Sequence, residues 1–127
     1  MINRAAIILK YKEPAIRWVN DSDLTDVIDN TEITEEEINN ERTVYLISDE
    51  DAETDESVSQ WVELNYLNMF QNELDSWITD ESMWPQNLTL MLFYEWFDVE
   101  CHTMIVDTVS DDPILDDEDD LPFEVLH

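Results

Sequence analysis

The sequence predicts an α+β fold: a small three-stranded sheet with helices packed mainly on one face, followed by a flexible acidic C-terminal tail. Three observations lead there. Apolar runs rich in β-branched residues recur at "AAIILKY" (5–11), "TVYLIS" (43–48) and "CHTMIVDTV" (101–109), the pattern of buried or half-buried strands. Val58, Trp61, Val62, Tyr66, Met69, Phe70, Leu74 and Trp77 recur at three- and four-residue steps, the apolar stripe of a long helix. Beyond Val109 the core pattern stops and Asp and Pro take over. Residues 1–109 therefore read as a single domain and 110–127 as an acidic tail.

The elements follow in order. After the first strand comes "EPAIRWVND", in which Pro14 suits the first turn of a helix, where its missing N–H would have no partner. "TEEE" at 34–37 is a capping box: Thr34 accepts from the backbone of Glu37 while the Glu37 carboxylate reaches back. Three acids there also favour the helix dipole, so a short second helix precedes the strand at 43–48. Ser57 with Gln60 would cap the long helix; alternatively Ser48 caps a helical start at "DEDAE", joined to the long helix near Asp55. "MWPQ" breaks the chain, and Asn87 can cap "LTLMLFYEWF", whose Leu, Met and Glu residues favour a buried helix although its apolar residues fill both parities. The strand at 101–109 closes the domain and could be central in the sheet.

Composition bounds the function more firmly than any motif. A chain of 127 residues with 43% apolar residues and five tryptophans can bury a core, hiding roughly two-thirds of the surface its unfolded form exposes. Its 33 acidic residues stand against five basic ones, for a net charge of −28. All five basic residues (Arg4, Lys10, Lys12, Arg17, Arg42) precede residue 43, and the 85 residues from 43 to 127 contain no Lys or Arg. Such a surface repels nucleic acid and anionic membranes and attracts basic protein faces. The apolar run near the N-terminus is five residues long, too short for a signal peptide or membrane span, and the expected compartment is the cytoplasm.

Cys101 is the one cysteine, which leaves no partner for a disulfide or a cysteine pair for zinc. In a strand it points away from its neighbour His102, so the two cannot form a nucleophile–base pair. There is no glycine, so phosphate-cradling loops, dinucleotide fingerprints and nucleophile elbows are absent. No catalytic residue, cofactor or metal centre is expected. Asp21, Asp23, Thr25, Asp29 and Glu32 match the ligand spacing of a calcium loop, but Asp26 occupies the position where such loops turn on glycine. The reading for 21–32 is a solvated acidic loop, with a weak divalent-cation site as the alternative.

The expected function is binding to, and regulating, a basic protein partner. DNA-mimic and nuclease-immunity proteins act so, and the chain is like them in size and charge, though in no motif. The candidate contact residues are Trp84, a large aromatic in a loop between Glu81 and Pro85, and the tail residues Asp111, Asp112, Ile114, Leu115, Asp116, Asp117, Glu118, Asp119, Asp120, Leu121 and Phe123, where apolar side chains are held between charges. A homodimer through the long helix or a sheet edge is a further possibility. The alternative to a binding role is charge acquired for solubility or for a saline cytoplasm.

Overall fold

The structure, a computed structural model, describes residues 2–21, 34–109 and 111–115. Strand β1 (Arg4–Tyr11) leads into helix α1 (Glu13–Asp21); helix α2 (Glu35–Ile38) precedes β2 (Val44–Ser48). A 3₁₀ turn (Asp49–Ala52) then runs into the long α3 (Asp55–Trp77), and a second 3₁₀ turn (Glu81–Met83) precedes α4 (Leu90–Trp96) and β3 (Phe97–His102). The sheet is antiparallel in the order β2-β1-β3. The fold is α+β, as the sequence predicts.

β1 is central because "AAIILKY" is apolar at both parities and can be covered on both faces. Ala5, Ile7, Leu9 and Tyr11 point into the main core with Tyr45, Ile47 and Phe97 from the flanking strands; Val62, Met69, Phe70 and Leu74 of α3 and Phe93 and Trp96 of α4 close over them. α1 adds Ala15 and Val19 to the same core and α2 adds Ile38, so the helices share one face. Aromatic rings fill the centre: Phe70 lies 5.4 Å from Phe97 and 5.8 Å from Phe93 in edge-on contacts, the geometry that the ring quadrupole favours. The opposite sheet face carries Arg4, Ile8 and Lys10 of β1, Val44 and Leu46 of β2, and Asp98, Glu100 and His102 of β3, which the register sets side by side.

The third strand is the main departure from expectation. It spans 97–102 instead of 101–109 and lies at an edge, not the centre. Helix α4 passes directly into it, Trp96 being the last helical residue and Phe97 the first of the strand. Phe97, Val99 and Cys101 then alternate inward opposite Tyr11, Leu9 and Ile7. Beyond it, residues 103–109 contribute one backbone bond among the described residues, from Ile2 to the carbonyl of Ile105 at 2.9 Å; Met104, Val106 and Val109 are exposed.

The caps explain where helices begin. Thr34 and Glu37 form the expected capping box. Thr54 with Ser57, one turn earlier than expected, forms that of α3, while Ser48 caps the 3₁₀ turn. Thr89, not Asn87, caps α4. At its other end Lys12 secures α4: its ammonium donates to the Tyr94 carbonyl at 2.9 Å and its backbone N–H to the Trp96 carbonyl at 2.8 Å, where the helix leaves carbonyls unpaired and a cation is favoured.

Candidate functional site

Two troughs flank α3. The larger, about 530 Å³ and open to solvent, lies between the N-terminal half of α3 and the outer side of β3. Asp55, Val58, Ser59 and Val62 recur at helical spacing along one wall, with Ala52 at its end; Phe97, Val99, Cys101 and Thr103, every second residue of β3 and its continuation, form the other, with Asp98 and Tyr94 at the rim. Its floor is apolar and its margins are acidic. Six carboxylates (Asp49, Glu50, Asp51, Glu53, Asp55, Glu56) occupy eight consecutive positions beside it, placed there because a capped 3₁₀ turn and a helix start in succession and each favours acids in its first turn. Burial pushes the Cys101 thiol up, and the Asp55 carboxylate pushes it further. The thiol is therefore held protonated, a packing group and not a nucleophile.

The smaller trough, about 210 Å³, is lined by Asn68, Gln71, Asn72 and Asp75 of α3 with Glu81 and Trp84. Trp84 is half-buried: it packs against the core, its indole N–H donates to the Ile78 carbonyl at 2.8 Å, and its remaining surface forms the wall. Nearby Asp80 is tied to Ser82, whose side-chain and backbone hydrogen bonds hold the carboxyl below its usual range.

Between the troughs, under α3, lies the buried carboxylate Glu73. Tyr11 donates its hydroxyl to one oxygen at 2.8 Å and Tyr45 donates to the other. The indole of Trp77 donates in turn to the Tyr11 oxygen, and the amide of Asn72 to that of Tyr45, each at 2.9 Å. Burial pushes the Glu73 carboxyl up, while the two phenols partly oppose the shift by bonding the ionised form. Both phenols are driven well above their ordinary range, by burial first and by the neighbouring carboxylate second. Every buried polar side-chain atom of the network has a partner among the described residues, and Asn72 also lines the smaller trough. The network clamps α3 to β1 and β2.

Comparison with protein-family models, with curated proteins and with solved structures found no match to this chain. The site must therefore be read from its own geometry. The tail residues Asp111, Asp112, Ile114 and Leu115 are exposed, the last two at 71% and 78%, and they line neither trough. Asp116, Asp117, Glu118, Asp119, Asp120, Leu121 and Phe123 lie outside the described residues, as does the acidic stretch after Asp21. Among the described residues, no group of three or more His, Cys, Asp or Glu side chains converges as a metal site, and no helix is long and apolar enough to cross a membrane. His102 points to the open face, 3.4 Å from Glu100.

Sequence reasoning missed both Glu73 and the large trough. Glu73 carried a signal: three and four residues from Phe70, Met69 and Trp77, it stands on the apolar stripe of α3, where an acid is out of pattern and requires buried donors. The trough carried none, because it depends on where β3 pairs.

Proposed function

We propose that the chain is a protein-binding, regulatory module that acts on a basic partner by presenting an acidic, nucleic-acid-like surface. One observation supports this most: the acids outnumber any neutralisation the chain gives itself. Among the described residues, Lys10, Lys12, Arg17 and Arg42 pair with Glu35, Asp98, Glu13 and Glu100. The Arg42–Glu100 bond is short enough, at 2.9 Å, to hold that carboxyl below its usual range. The acids of residues 43–127 thus greatly exceed the basic groups available, and an excess of one sign steers an oppositely charged partner toward the surface. The apolar side chains in the larger trough, Val58, Val62, Phe97 and Val99 among them, supply what charge alone does not, a place to anchor side chains.

The test is a salt-graded capture from lysate followed by titration with each purified protein recovered. The expected result is a basic protein that binds the chain, is released at moderate salt, and exchanges the chain for duplex DNA in competition. A variant with Asp49, Glu50, Asp51, Glu53, Asp55 and Glu56 changed to the matching amides should bind it more weakly. Equal binding by that variant, at all salt concentrations, overturns the proposal.

A further inference from the structure

Resting on that reading, we propose that the edge of β3 is the partner-binding site and that it takes an extended segment of the basic partner as a fourth strand, apolar and basic residues alternating. The backbone geometry points there. Asn39 accepts from the Tyr11 N–H at 2.8 Å and donates to the Tyr11 carbonyl at 3.2 Å, acting as a strand partner where β2 has ended. The odd residues of β1 therefore turn their backbone groups toward β2. In an antiparallel ladder these orientations alternate, so the even residues Ala6, Ile8 and Lys10 bond to His102, Glu100 and Asp98. The N–H from Lys12 to the Trp96 carbonyl continues that parity. Val99 and Cys101 are left with N–H and C=O directed outward, and among the described residues no backbone or side-chain group takes them.

An open pair of such groups is a template for strand addition, and here the trough runs alongside it. A residue opposite Val99 or Cys101 would place its side chain on their face, over Val58 and Val62, where an apolar group fits. A residue opposite Asp98 or Glu100 would point to the other sheet face, beside those carboxylates, where Lys or Arg fits. Asp98 is available for this, since its contact with Lys12 is 3.9 Å long and both side chains are largely exposed, a pairing of little strength. Charge also decides against the other occupants. A second copy would bring −28 against −28, and the chain's own "DDEDD" stretch would set acid on acid.

The probe is an eight-residue peptide of alternating valine and lysine, titrated by NMR. Binding should slow amide exchange at Val99 and Cys101 and weaken with salt. Backbone N-methylation of one alternate set of peptide residues should abolish binding, while methylation of the other set leaves it, because a strand pairs along one side only. Asp55→Asn with Asp98→Asn should weaken binding about three- to tenfold, and Ser59→Trp, which fills the trough from an exposed helix position, should block it without unfolding the chain. Binding insensitive to Ser59→Trp and to both methylation patterns overturns the β3 site while leaving a basic partner in place. Failure of this peptide and of basic proteins alike overturns both readings.

Discussion

At the scale of single residues, Glu73 shows how a charge is kept inside an apolar core. Its two oxygens each accept a phenol, and each phenol accepts from a further donor, so removing the carboxylate strands two hydroxyls. Glu73→Ala should cost about 2–6 kcal/mol, since each of the two buried hydroxyls left unpaired costs about 1–3 kcal/mol, and chemical denaturation would measure it. Acidity supplies a second prediction. Burial raises the folded-state pKa of this carboxyl above the usual glutamate value of 4.5, so the native state binds that proton more tightly than the unfolded chain. Its contribution to stability is then fully present below the usual value and is lost as pH rises through the folded value. Glu73→Gln cannot ionise, and the comparison cancels the titration of the surface acids. The stability of the native chain relative to Glu73→Gln should therefore fall as pH rises above the usual glutamate value and through the raised folded value; a constant difference would contradict it.

At the scale of elements, the local chemistry of start signals decides what sequence reading recovers. Thr34 with Glu37 was legible because both halves of the box are side chains in sequence. The start of α3 was displaced because Thr54, Ser57 and Ser48 all offer caps, and the fold uses them in succession. β3 was misplaced for a different reason. The change from helical to strand periodicity falls between Trp96 and Phe97, with no turn residue and no glycine to mark it, while the β-branched run at 103–109 imitates a strand although its one backbone bond among the described residues is that from Ile2 to Ile105. What the larger trough contains was illegible for the same cause, since one wall is β3 itself. The caps make a prediction that separates a global from a local element. Thr54→Ala removes half the box of the helix that carries Val62, Phe70 and Glu73, and should cost about 1 kcal/mol, a fall in Tm of about 3–6 °C for a chain of this size. Thr34→Ala acts on a four-residue helix and should chiefly speed amide exchange over Glu35–Asn39, with a smaller change in Tm. Equal Tm losses in the two variants would show that α2 unfolds together with the core.

At the scale of the whole molecule, charge is distributed as unevenly as it is abundant. Of the basic residues, Arg4 and Lys10 lie on β1, Lys12 follows it, Arg17 is on α1 and Arg42 pairs across to β3, so compensation gathers around the central strand. The 3₁₀ ridge and the outer surface of α3 have none. Self-repulsion of this kind raises the free energy of the compact state, and mobile ions screen it over about 8 Å at physiological ionic strength and about 3 Å at 1 M. Salt also weakens the ion pairs that Lys10, Lys12 and Arg17 make, but these are exposed and contribute about 0–1 kcal/mol each. Repulsion among 28 uncompensated charges outweighs them. The Tm should rise steadily from low salt toward 1 M sodium chloride. Sodium chloride is the informative salt, since sulfate would strengthen apolar burial as well. A Tm that is flat or falls with sodium chloride would mean that the acids are neutralised within the fold, and would remove the physical basis for attraction to a basic partner.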